Sequence, residues 1–104
     1  MDENKILVVI KEPGEPVEIE PLFENTLEAF QCRVGGNIEV IRLTTDLALI
    51  VNEEGKINNM PYNLTVAGLD LYGTVIAVGV RGEKFARVKA AHVPLVLRSI
   101  LKGA

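Results

Sequence analysis

A chain of 104 residues, 48% hydrophobic and 24% charged, has room for one domain (residues 1–104) with a core of its own. Its net charge of −3, from 14 acidic and 11 basic residues, excludes a duplex nucleic-acid binder built on a basic surface, and 14 carboxylates are too few for a nucleic-acid mimic. The single Cys32 forms no internal disulfide, and the apolar run Ile6–Ile10 is too short for a signal-peptide core or a membrane span, so a cytoplasmic protein with no membrane partner is expected.

Residues 5–10, KILVVI, read as a strand buried on both faces. Pro13 and Gly14 supply a turn, and VEIE follows as a half-buried strand with Val17 and Ile19 inward, so the two predict a hairpin. ENTLEAFQCRVGG predicts a helix capped by Asn25, with Glu28 completing a capping box. Leu27, Phe30 and Val34 face the core, Cys32 lies buried near that face, and Gly35 with Gly36 closes the helix in a left-handed turn. NIEVIRL and LALIVN are strands joined by the tight turn TTD. An irregular segment through Gly68 follows, then the buried strand GTVIAVGV, the turn RGEK and a returning strand FARVK. HVPLVLRSILKGA predicts a short helix with Pro94 in its first turn, Val93, Leu97, Ile100 and Leu101 on one face, and Gly103 as a stop. The order ββαββ–ββα implies an α+β fold: a single mixed or antiparallel sheet with one amphipathic helix across it and a short C-terminal helix.

Charge is segregated along the chain. Acids concentrate in residues 1–54, whereas the segment 81–104 carries Arg81, Lys84, Arg87, Lys89, Arg98 and Lys102 against Glu83 alone, so one end attracts anions. GVRGEK frames Arg81 and Lys84 with Gly79 and Gly82, a turn whose amides and cations suit an anion, though a plain hairpin turn explains the same residues. No residue set suggests catalysis: His92 and Cys32 are the candidates, and neither has a partner nearby in sequence. One His and one Cys make no metal site, and no cofactor is expected. The richest polar stretch is NEEGKINNMPYNL. Asn52 and Gly55 read as turn residues, through an Asx turn and a positive φ. Asn58, Asn59 and Asn63 around Tyr62 exceed what a turn requires: their amides can read the edge of a base or a partner's backbone, and Tyr62 can stack or anchor. Equally, Asn63 can brace the loop against its own backbone.

TLEAFQCRVGGNIEVIRL, LALIVNEEGKINNMPYN and YGTVIAVG together resemble the domain of unknown function 3846 family over about residues 5–80. The matching positions are Val34, Gly35, Gly36, Asn52, Glu53, Glu54, Gly55, Lys56, Pro61, Asn63, Gly73 and Gly79. The resemblance implies no activity. It implies a small accessory protein of phages and mobile elements, acting in a bacterial host cell, with a role against host defence as the expectation. The expected function is non-enzymatic: sequestration of a small anionic, nucleotide-type signal. Asn58, Asn59, Tyr62 and Asn63 would read the base, and Arg81 with Lys84 would neutralise phosphate. A domain this small is expected to form a homo-oligomer with sites between subunits. The alternative is an inhibitor that binds a host defence protein through the same loop or a sheet edge.

Overall fold

The computed structural model describes residues 4–101; the expected Lys102 and Gly103 lie outside them. The longest apolar runs become the innermost strands: β1 (Lys5–Lys11), β4 (Leu47–Asn52) and β7 (Val75–Arg81). β4 is buried at all six positions and β7 at every position except Arg81. Alternation sends Val9, Leu47, Leu49, Val51, Val75 and Ala77 to one face, and Ile6, Val8, Ile10, Ala48, Ile50, Ile76, Val78 and Val80 to the other. Strands apolar on both faces require a covering layer on each side.

Every strand pair is antiparallel. The main sheet runs β2–β1–β7–β4–β3, with β2 (Glu18–Glu24) and β3 (Ile38–Thr44) at its edges. Pro21 lies in β2 where the β1–β2 register slips, the edge placement that a residue without an amide hydrogen tolerates. Ile19, expected inward, is exposed instead, and Phe23 is the β2 residue that packs against the core.

The expected single sheet is incorrect. The segment taken as irregular forms a second, two-stranded sheet from β5 (Tyr62–Val66) and β6 (Leu69–Tyr72). Val66 pairs with Leu69 around Ala67 (φ 52°) and Gly68 (φ 80°), a two-residue turn with both centres left-handed. This turn ordinarily carries Asn-Gly or Asp-Gly, and Ala67 conceals it. Leu64 and Leu71 of this hairpin cover the first face together with Val96 and Leu101 of the C-terminal segment. That segment is helical, as expected, but irregular: a 3₁₀ turn at Ala90–His92, one α-turn at Val93–Leu95, and a wider π-type stretch at Val96–Ile100. No helix among the described residues is long and apolar enough to cross a membrane.

Helix α1 (Leu27–Val34) covers the second face through Phe30 and Val34. The Phe30 ring lies between Phe23, at 4.9 Å, and Phe85, at 5.4 Å. Three local expectations are corrected here. Thr26, not Asn25, caps the helix: its hydroxyl accepts from the Ala29 amide, while the Asn25 amide donates to the Phe85 carbonyl. Leu27, the first residue of the helix, is 57% exposed rather than in the core. Cys32 is exposed rather than buried. Gly35 closes α1 in a left-handed conformation as expected, and the Gly35 and Gly36 amides both donate to the Gln31 carbonyl.

β7 pairs with β4 along one edge and divides the other edge between two strands. Val75–Ala77 pair with β1, whereas Gly79–Arg81 pair with β8 (Lys84–Ala86). The β8 backbone passes so closely over Gly79 that a Cβ there would collide with the Arg87 carbonyl. Gly79→Ala should therefore lower stability by about 3 kcal/mol or more, read as a fall in the urea midpoint without a change in m-value.

Candidate functional site

The polar residues singled out by the sequence fall at two opposite ends of the main sheet. At the first end, the loop after β4 is built from the backbone outward. The Asn52 side chain accepts from the Glu54 amide at 2.7 Å, the expected Asx turn, and donates to the Val34 carbonyl at 3.1 Å, satisfying one free carbonyl at the end of α1. One helical turn follows. The Met60 amide donates to the Gly55 carbonyl and the Asn59 amide to the Lys56 carbonyl, with Asn59 left-handed at φ 57°. Gly55 has no positive φ, correcting the reason given for it: a Cβ there would meet the Tyr72 carbonyl oxygen at 2.8 Å. Close approach, not backbone handedness, requires glycine at this position.

Asn63 is a brace. Its side chain is buried, and its Nδ2 donates to the carbonyls of Lys11 at 2.7 Å and Gly73 at 2.8 Å, joining β5 to β1 and to the start of β7. Its Oδ1 is buried with no hydrogen-bond partner among the described residues. Glu53, Glu54, Lys56, Ile57, Asn58 and Asn59 are exposed, and Ile57 is 77% exposed. Tyr62 is half-exposed. The Thr65 hydroxyl donates to Asp70 at 2.7 Å, so the Tyr62 hydroxyl donates to Thr65 at 2.6 Å; Tyr72 stands edge-on to its ring.

At the second end, β8 separates from the first residues of β1, and the two are bridged by the Val88 amide donating to the Leu7 carbonyl. An open groove of about 1380 Å³ lies between them. Lys5, Arg81, Lys84 and Arg87 line it over an apolar floor that includes Ile6, Leu7, Phe85 and Val88. No carboxylate lines it among the described residues, and none of the four cations is held in an ion pair there. The structure thus joins Arg81 and Lys84 and adds two residues to them. Arg87 was visible in the basic C-terminal segment. Lys5 was not, because only the pairing of β1 with β7 brings it across the chain.

The two ends do not meet within one chain. The loop packs against Tyr72 and Gly73, just before β7, whereas Arg81 ends that strand. Six residue rises of the strand set the two groups roughly 20 Å apart.

His92 stands outside the groove lining. Its Nε2 lies 3.9 Å from Asp46, and its Nδ1 is buried with no hydrogen-bond partner among the described residues. Asp46, in the β3–β4 turn, accepts from Lys89 at 2.7 Å and from the Thr44 hydroxyl at 2.9 Å. These two hydrogen bonds, the one from Lys89 first, hold its carboxyl below the ordinary value of 3.8. Cys32 is exposed on α1, away from both ends.

The model of one protein family, the domain of unknown function DUF3846, matches residues 5–96, and the chain belongs to this family. The match extends beyond residue 80, so it takes in β8 and most of the basic segment first read as outside the family-like region. No curated protein and no solved structure matches the chain.

Two outcomes check this account of the site. Asn63→Ala should cost about 2–4 kcal/mol, since two buried carbonyls lose their donor, whereas Asn58→Ala should change the urea midpoint little. Because the folded carboxyl of Asp46 titrates below its unfolded value, its contribution is complete above about pH 4 and disappears as pH falls through the folded value. Asp46→Asn should therefore flatten the acid limb of a stability profile below pH 4.

Proposed function

We propose that this DUF3846 protein is a non-enzymatic binder that captures a small anionic, nucleotide-type molecule and withholds it from a host receptor. A counter-defence role in a phage or mobile element accords with the setting implied by the sequence resemblance. The observation that carries the reading is the groove at the β1–β8 divergence, where four unpaired cations surround an apolar floor without a lining carboxylate among the described residues. A phosphate there gains charge-assisted hydrogen bonds from Arg81 and Arg87, whose planar guanidinium groups suit two oxygens at once, and point charges from Lys5 and Lys84. The apolar lining offers the half-buried Phe85 to the ring face of a base. A net charge of −3 repels anions only at long range, and at physiological salt that repulsion fades beyond about 8 Å, so the local cations dominate inside the groove.

The exposed Asn58 and Asn59 and the half-exposed Tyr62 remain the base-reading group of this proposal, contributed from outside the groove. Asn63 supports them from within the fold. A second reading, a protein-level inhibitor of a host defence protein, is favoured by the exposure of Ile57 and Tyr62, large side chains on and just after the polar loop.

Native mass spectrometry after incubation with an extract of infected bacteria separates the two readings. Capture predicts an adduct of nucleotide-like mass on the wild type and its loss, at least tenfold, from Arg81→Ala/Lys84→Ala. An adduct retained equally by the double variant defeats the groove assignment, and a bound protein supports the inhibitor reading.

A further inference from the structure

We infer that the groove of one copy receives the Glu53–Asn59 loop of a second copy, so that the chain associates head to tail. The anion-binding part of this inference rests on the function proposed above; the association does not.

The groove is too large for its expected ligand. Small-molecule pockets occupy roughly 300–1,000 Å³ and bury most of the ligand. At about 1380 Å³, open along one side, this groove leaves a nucleotide-sized molecule with an unfilled wall. The loop at the opposite end has the complementary character. It presents Glu53 and Glu54 beside the exposed Ile57, with Lys56 as its one cation, to a groove of four cations over an apolar floor. It is also ordered before docking: the Asx turn at Asn52, the left-handed closure at Asn59 and the close packing of Gly55 on Tyr72 fix its backbone. Ordering already achieved in the free chain is not lost again on binding.

Because loop and groove lie at opposite ends of β7, one chain cannot insert its own loop into its own groove. Each copy offers both a donor and an acceptor surface, which makes the contact heterologous and yields a ring where the rotation closes. Docking places Asn58 and Asn59 of one copy beside Arg81 and Lys84 of the next. The loop brings two carboxylates and one ammonium to four cations, so the docked groove keeps a net positive charge, and the base-reading and phosphate-binding groups, separate in one chain, then form one site that is incomplete without the second copy.

A charge exchange tests this on the full chain. Glu53→Arg/Glu54→Arg has a basic loop facing a basic groove, and Arg81→Glu/Lys84→Glu has an acidic loop facing a groove whose two remaining cations, Lys5 and Arg87, are offset by two carboxylates. Sedimentation and native mass should give whole multiples of the monomer for the wild type at low salt and monomers for each variant alone. A 1:1 mixture of the two variants should reassemble, since the acidic loop then meets the intact cationic groove and the basic loop meets the groove that has gained two carboxylates. A monomeric wild type, or variants that assemble as the wild type does, overturns the inference. Repeating the wild-type measurement with ADP and with inorganic pyrophosphate separates the two claims. Anion retained by monomers overturns head-to-tail completion while leaving the groove reading intact. Assembly with neither anion retained supports the association and counts against the groove reading.

Discussion

Strands β4 and β7 have no face to give to water, and the rest of the architecture follows from that constraint. Their alternating side chains divide between two cores, so each side of the sheet must be roofed. Helix α1 roofs one side with Phe30 and Val34. The β5–β6 hairpin and the C-terminal segment share the other. The polar stretch after β4 is the connection from the sheet to one of those roofs, and this explains its double character. Its inner residues, Asn52, Gly55 and Asn63, hold the roof in place, while its outer residues, Ile57, Asn58 and Asn59, project from it.

Much of this was legible in the residues. The runs in β1, β4 and β7 are continuous and apolar, and each became a doubly buried strand. The end of α1 was marked by Gly35, because a left-handed residue without a Cβ has few alternatives. Errors arose where two residues of equal local merit competed, or where a contact was distant in sequence. Asn25 and Thr26 are both good caps, and only the Phe85 carbonyl, distant in sequence, decides between them by taking the Asn25 side chain. Ala67 occupies a position that asparagine ordinarily takes, so the β5–β6 turn carried no signature. The need for glycine at 55 depends on Tyr72, and the need at 79 depends on the path of β8; neither is visible locally.

The candidate site divides along the same line. Arg81, Lys84 and Arg87 are close in sequence and stand out as a basic cluster, whereas Lys5 enters only through strand pairing. The Asn-rich segment was recognisable as unusual, but its composition could not separate brace from surface. Asn63 and Asn58 have the same side chain five residues apart, and burial alone distinguishes their roles. Glu53 and Glu54 stand apart from Arg81 because β4 and β7 run in opposite directions, whereas Asp46, at the other end of β4, meets Lys89 of the basic segment.

The depth of β4 has a cost before the fold exists. Leu47–Asn52 contains no charge and no proline, is rich in aliphatic residues, and must wait for β7 to be synthesised before its second edge is covered. Such a segment, exposed in an unfolded chain, is prone to pair with its equivalent in a neighbouring molecule. Asp46 stands immediately before it and Glu53 with Glu54 immediately after. Charges at the borders of an apolar strand oppose that stacking. The carboxylates that project from the finished protein thus also guard the nascent one against aggregation.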